Sequence, residues 1–354
     1  MNNVDVVIYL GNVSVPRRRG RVLLCEGAKE RSDVLRYISK RILAATVTLI
    51  IIISVVFILV RRMPIEGYFD NFDKLDKSVI QARLVQMGLT KPVHIQLLNF
   101  FKNFFMGHIG TSARYSVGVP IGVILRAKAP VSIAFGLTSM ALAILLGVPL
   151  GIVMSRAQTK LSTKFFTRFW DVFGTVFIVF INAVPAAVYH IFIQAYGSRA
   201  MNISMLFSRD KAVTWILPVI SMSLGSVAYY AMWLRRYMVD ELNRDYVALA
   251  KAKGVTNRNI MKSHVFRNAI VPMIQYLPTS LLYTVAGSIY VESLYSIPGM
   301  GGLLVDVIRR QDNPMVQILV MIYSCIGVVG LLLGDMLMAV VDPRITFAKK
   351  EGSR

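Results

Sequence analysis

ILAATVTLIIIISVVFILV, residues 42–60, passes nineteen positions without a charge, with Lys40 and Arg41 before it and Arg61 and Arg62 after it. As a helix rising about 1.5 Å per residue it crosses the roughly 30 Å hydrocarbon layer of a bilayer. A secretory leader fits poorly, because its apolar part runs to about 7–15 residues ahead of a small-residue cleavage site, and this run begins far from Met1. The stretch predicts a membrane anchor.

Five further stretches have the same character. Residues 129–155 (APVSIAFGLTSMALAILLGVPLGIVMS) are uncharged and long enough to tilt or to carry an interfacial turn. Residues 169–196 hold one acid, Asp171, near their start, where headgroups tolerate it. Residues 212–234 run up to Arg235 and Arg236, residues 269–291 are uncharged but contain Pro272 and Pro278, and residues 314–334 close the set. A soluble core does not supply six such helices. The expectation is an all-α membrane protein with six transmembrane helices.

Composition agrees. Of 354 residues 55% are hydrophobic, against roughly 45–50% in soluble domains. Lys and Arg number 40 and Asp and Glu 19, a net +21, yet only 17% of residues are charged, so the basic groups collect at the ends of apolar runs. A nucleic-acid binder would gather them on one face; here the lipid bilayer is the expected partner and nucleic acid is not. Cys25 and Cys325 lie far apart, one inside an apolar run, which suits neither a disulfide framework nor a metal knuckle. His94, His108, His190 and His264 share no metal-ligand spacing.

The basic residues also orient the chain. An even number of spans puts both termini on one side. Segments 1–41, 156–168, 235–268 and 335–354 hold 25 Lys and Arg, whereas 197–211 and 292–313 hold 5. The positive-inside rule then places both termini in the cytoplasm, with 61–128 outside and too long for its own basic residues to weigh. Arg61 and Arg62 run against this for the first helix taken singly.

Five regions follow: a cytoplasmic amino-terminal extension (1–34), the first membrane helix and its lead-in (35–60), an extracytoplasmic helical segment (61–128), a five-helix core (129–334) containing the loop 235–268, and a cytoplasmic tail (335–354). The extension has no sustained periodicity, although VDVVIYLG (4–11) suits a short strand or helical turn, and RRRGR (17–21) is a basic patch. Within 61–128, HIQLLNFFKNFFMG (94–107) spaces Ile95, Leu98, Phe101 and Phe105 as one apolar helix face, to lie on the bilayer or on the spanning helices.

The loop 235–268 is the informative connection. Helix-forming residues run up to Gly254, a residue suited to the left-handed conformation that ends a helix, and 257–268 reads as a second helical run. Leu242, Tyr246 and Ala250 recur at four-residue spacing, and Ala248, Ala250 and Ala252 give a face of low bulk with Lys251, Lys253 and Arg258 at its rim. Such a helix either rests on lipid headgroups or enters a cleft in a soluble partner.

Chemistry is sparse. There is no G-x-x-x-x-G-K-[ST] loop to cradle a nucleotide, and Gly299, Gly301 and Gly302 lack the preceding strand and following lysine. No H-E-x-x-H occurs. Glu292 and Asp335 follow the fifth and last apolar runs and are expected at headgroup level, while His190, inside the third run, has no nucleophile to serve. The chain is not expected to be an enzyme or to bind a metal or cofactor of its own.

DYVALAKAKG followed by HVFRNAIVP resembles the coupling-loop signature of membrane subunits of ATP-binding-cassette importers, in the oligopeptide and dipeptide permease branch, through Asp245, Tyr246, Ala250, Ala252, Lys253, Gly254, His264, Arg267, Asn268 and Pro272. VESLYSIPGMGGLLVDVI (291–308), DNPMVQ (312–317), and Asp335 with DPR (342–344) continue the likeness, and YISKRIL, MGLTKPVHIQ and MGHIGTS look like the B-type subunit. Two departures stand out. Ala248, Leu249 and Ala250 occupy the place of the wider family's Glu-Ala-Ala, and IEG follows RRMP (61–64) where Gly-Asp-Pro is usual. The resemblance implies a type I importer permease that forms one half of a translocation pore with a second, C-type permease subunit. It implies two ATPase subunits holding ATP and Mg, an extracytoplasmic solute-binding protein, and residence in the bacterial inner membrane. It also implies ATPase coupling through Asp245, Tyr246, Ala248, Ala250, Ala252, Lys253, Gly254 and Arg258. Oligopeptide is the implied cargo, with nickel or an oligosaccharide as the alternative in the same branch, and a transport-inactive membrane scaffold as a different class. Pro149 with Gly147, and Pro272 with Pro278, are candidate bends.

Single cysteines placed at Lys77 and Lys349, in a chain with its own cysteines replaced, are expected to react oppositely with a membrane-impermeant thiol reagent in intact cells. Equal labelling contradicts the orientation.

Overall fold

In this computed structural model the chain is described for residues 21–70, 72–157, 165–286 and 288–341. The expectations for RRRGR, for VDVVIYLG, for DPR and for most of the tail lie largely or wholly outside those residues. Helices, in chain order, are α1 (Arg21–Arg61), α2 (Lys77–Gln86), α3 (Val93–Phe105), α4 (Ile121–Ala157), α5 (Phe165–Ala183), α6 (Ala186–Phe192), α7 (Ser198–Met201), α8 (Ile216–Leu242), α9 (Asp245–Ala252), α10 (Asn257–Asn259), α11 (Arg267–Ala269), α12 (Val271–Ala286), α13 (Ile289–Leu294), α14 (Met300–Arg309) and α15 (Asn313–Val341). Among the described residues, five helical stretches are long and apolar enough to cross a membrane, and a sixth span results if the segments Asn257–Ala269 and Val271–Leu294, bent by 51°, count as one.

Several boundaries differ from the sequence reading. Helix α1 reaches back to Arg21, and α15 continues through Asp335 to Val341. Helix α4 begins at Ile121, so Arg126 and Lys128 are helical, and it passes through both Pro130 and Pro149 without a break. The third apolar run is interrupted, as the fifth is: α5 stops at Ala183, Pro185 precedes α6, and a π-helical turn, Ile193–Gly197, leads into α7. A proline in a long helix loses one hydrogen bond that neighbours can offset, whereas Pro185 coincides with the helix end.

Lipid gives helices no hydrophobic reason to associate, so the spans must meet by close packing. Gly147 and Gly151, one turn apart on α4, supply the approach to α8. A Cβ at Gly147 would lie 2.9 Å from the Val227 carbonyl oxygen, and one at Gly151 2.8 Å from that of Ala231. Two of the cores lie towards opposite ends of α4. Met140, Ala143, Val227, Tyr230, Leu234 and Met238 pack with the loop 235–268; at the opposite end Ile53, Val60, Ile121, Leu303, Val307 and Met315 pack with α3. The two ends are termed here the loop side and the lobe side.

Helix α3 divides the expected face, with Phe101 packed inward and Ile95, Leu98 and Phe105 outward. Phe100, Phe101 and Phe104 are the residues packed on the lobe-side core, with the Phe100 ring 5.4 Å from that of Phe57, while Ile95, Leu98 and Phe105 are exposed. The helix is apolar on both sides, one packed on the spanning helices and the other open to a bilayer surface.

Replacing Gly151 by Leu is expected to push α4 from α8 and to destabilise the chain by about 1–3 kcal/mol, the usual scale for overpacking, read as a lowered thermal midpoint in detergent. An unchanged midpoint refutes the seam.

Candidate functional site

Helix α8 does not stop at the arginine pair. It carries Arg235 and Arg236 two turns further to Leu242, and Arg235 Nε sits 2.9 Å from the Asp171 carboxylate of α5. The polypeptide then turns at Asn243 and Arg244 into α9, whose first residue, Asp245, places negative charge at the helix amino terminus, where the dipole favours it.

The end of α9 follows from its sequence. Gly254 has φ +79°, a conformation that costs a residue with a Cβ roughly 1–2 kcal/mol. The Gly254 N–H donates to the Lys251 carbonyl and the Val255 N–H to that of Ala250. That pair of bonds is the Schellman closure, and half-buried Val255 packs on the loop-side core as the accompanying apolar contact. The chain then runs through α10, a π-helical turn, Ile260–Phe266, and α11 into α12.

Burial sorts the predicted residues into two faces. Val247 and Ala250 are buried, 1% and 7% exposed, among Ile260, Val265 and Ala269. Leu242 and Tyr246 pack on the same cluster. The Tyr246 hydroxyl donates to Glu241 and accepts from Asn268 Nδ2 at 3.2 Å. Burial and the Glu241 carboxylate push that phenol up to about 12, so it keeps its proton at physiological pH. The stripe of Leu242, Tyr246 and Ala250 therefore fastens α9 to its own chain. Of the alanines read as one small face, Ala250 points inward and only Ala248 and Ala252 are exposed, because positions two apart differ by about 200° around a helix. With them on the outer face are Lys251, Lys253, Arg258 and Leu249, which is 56% exposed. Sequence reasoning missed Leu249; once Val247 and Ala250 are assigned inward, the 100° step per residue turns Leu249 out. Asp245 and Gly254 are exposed at the two ends. The result is a short, rigidly seated helix offering one leucine between two alanines under a basic rim.

The acids expected at headgroup level are differently employed. Glu292 is fully buried: its carboxyl accepts from Ser132 Oγ (2.8 Å) and from the N–H groups of Gly301 (2.7 Å) and Gly302 (3.2 Å), at the amino terminus of α14. Asp335 lies inside α15, 2.8 Å from Arg41 of α1, and accepts from Gln275 of α12. Asp312, also fully buried, accepts from Ser112 Oγ and from the N–H groups of Ala113, Arg114, Tyr115 and Met315. Asn313 Nδ2 donates to the Pro64 carbonyl. Among the described residues, no group of three or more His, Cys, Asp or Glu could hold a metal ion.

Residues 147–347 match the family described as binding-protein-dependent transport system inner membrane component, and residues 34–132 match its amino-terminal counterpart. The dipeptide transport system permease protein DppB of Lactococcus lactis subsp. cremoris is 28% identical over 88% of this chain and 99% of its own. The glutathione transport system permease protein GsiC of Pectobacterium atrosepticum is 30% identical over 89% and 100%. The oligopeptide transport system permease protein OppB of Haemophilus influenzae is 28% identical over 89% and 100%. A solved structure of the MetNI methionine ABC transporter overlaps 63% of this chain and 98% of its own at 13% identity, with a TM-score of 0.48.

Ala250→Trp is expected to disrupt the packing of α9 within the chain, visible as faster protease cleavage of the loop, whereas Ala248→Trp on the outer face leaves cleavage unchanged. Equal cleavage of the two variants contradicts the assignment of faces.

Proposed function

Because the chain belongs to the family of binding-protein-dependent transport system inner membrane components, we propose that it is the B-type pore subunit of an ATP-driven oligopeptide importer. In this proposal it pairs with a C-type permease subunit, is driven by two ATPase subunits, and receives cargo from a solute-binding protein outside the cell. Both termini and the loop side face the cytoplasm. The relatives support a peptide cargo: their names run from dipeptide through glutathione to oligopeptide.

The observation that carries the reading is the outer face of α9. A chain without a nucleotide loop has to be moved by another subunit, and the mover needs a stiff handle. Helix α9 has one, closed at Gly254 and seated through Val247 and Ala250 on the core that α8 and α12 share. Its Leu249 is a knob for a partner's cleft, Ala248 and Ala252 permit close approach, and Lys251, Lys253 and Arg258 meet an acidic rim. A force on α9 is delivered through the loop-side core to the spanning helices.

Leu249→Asp is expected to weaken retention of the ATPase subunits roughly 30-fold, the effect of about 2 kcal/mol at a hot spot, and to abolish uptake of a labelled pentapeptide, while the variant inserts normally. Wild-type copurification and uptake by this variant would make α9 a surface element. Loss of nickel or oligosaccharide uptake, with peptide uptake intact, on deleting the gene would replace the cargo.

A further inference from the structure

The exposed surface of the spans is of two kinds. Helix α1 shows Leu43, Ile51 and Leu59, and α5 shows Phe166, Val176 and Phe180, groups that suit hydrocarbon. Helix α12 and its continuation α13 show Tyr276 (44% exposed), Tyr283 (56%) and Tyr290 (39%), each seven positions from the last. Tyr276 and Tyr283 lie two turns apart on one face of α12, and the Tyr229 ring of α8 stands 6.3 Å from that of Tyr276. Phenols strung across a span do not suit lipid, which supplies no hydrogen-bond partners.

Beside this strip lies a cavity of about 290 Å³ between α6, α8, α12 and α13, walled in part by Tyr189, His190, Ser226, Tyr283, Thr284 and Ser288. None of its described lining residues is charged. His190 is 8% exposed, its ring 5.8 Å from that of Tyr290, and its Nδ1 is buried without a hydrogen-bond partner. A buried polar atom left unpaired is costly, and the residue that carries it lines the cavity, where a hydrogen-bonding guest would relieve that cost.

We propose that this cavity is a transit subsite for the main chain of the cargo peptide, with His190 Nδ1 hydrogen-bonding a main-chain amide; the assignment rests on the peptide-importer reading above. Neutral hydroxyls and one imidazole can each pair with an amide N–H or C=O, the groups that every peptide carries and that must stay paired on leaving water. A wall without charge draws no distinction between acidic and basic side chains. One imidazole among hydroxyls is also a poor site for a bare divalent metal, which takes several nitrogen, oxygen or sulfur ligands.

The test uses the whole complex in proteoliposomes with loaded binding protein and three tripeptides bearing an acidic, a basic or a neutral central residue. His190→Leu is expected to slow uptake of all three about tenfold, the equivalent of one hydrogen bond of about 1.4 kcal/mol, with ATPase subunits copurifying as in wild type; His190→Asn, which keeps an acceptor near the Nδ1 position, restores most of it. Normal uptake by His190→Leu, or a loss confined to one charge class, overturns the subsite. If His190→Leu fails to assemble, Gly225→Val decides. A Cβ at Gly225 meets only the Tyr189 hydroxyl at 3.8 Å, so the added side chain fits the helix and narrows the cavity; reduced uptake of a peptide with bulky side chains relative to triglycine supports the subsite, and an unchanged ratio overturns it. A wild-type complex that moves no peptide at all refutes the importer reading instead, which separates the two failures.

Discussion

Inside a bilayer a backbone N–H or C=O that leaves its helix finds no water, and the protein has to supply the missing partner. Much of this architecture answers that constraint. Around the break between α13 and α14 the chain reverses through Pro298 and Gly299, and the exposed amides of Gly301 and Gly302 are taken by Glu292, with Ser132 of α4 accepting from Met300. An intramolecular hydrogen bond contributes about 0.5–1.5 kcal/mol net, and a buried amide left unpaired costs about 1–3 kcal/mol. Asp312 does the same for residues 113–115 at the lobe. Two buried carboxyls therefore set where α14 and the lobe sit relative to the spans.

These anchors explain why acids, glycines and prolines crowd the segment 291–317. The cluster has the look of a phosphate loop, but its N–H groups are already occupied by a side chain of the same protein. What remains free to meet another molecule is elsewhere: the outer face of α9 on one side, and the phenol-lined strip of α12 and α13 between the two ends. The loop-side core joins these, since Val247 and Ala250 of α9 share a cluster with Met273 of α12 and with Leu234 and Met238 of α8.

The spans were legible because a charge-free run of about twenty residues has few other uses, and Gly254 was legible because a left-handed helix end demands a glycine. Directions were harder. On α3 only Phe101 of the expected face packs inward, because Phe100 and Phe104 make a second apolar side and periodicity alone does not choose between the two. Ala250 was placed outward with Ala248 because smallness says nothing about facing, and its inward turn depends on Ile260 and Val265 arriving from the next segment. Glu292 reads as a surface acid until its partners, Ser132 far upstream and two amides downstream, are brought together by tertiary structure. Pro149 and Pro185 look alike in sequence; only the neighbours decide which interrupts a helix.

The clip between Arg41 and Asp335 has a consequence for how the molecule is made. Among the residues of α1 whose burial is described, Ile53, Phe57 and Val60 are the buried ones, and Arg41 at the loop side pairs with Asp335 of α15, with Gln275 on the same carboxylate. A ribosome emits Arg41 long before Asp335. During synthesis, then, the first helix meets α3 and the start of α4 at the lobe side well before α15 exists, and the clip to Asp335 and Gln275 at the loop side is added when that span inserts. Closure at the loop side is a late event, and a chain that stalls before α15 is complete holds its first helix by the lobe end without this ion pair.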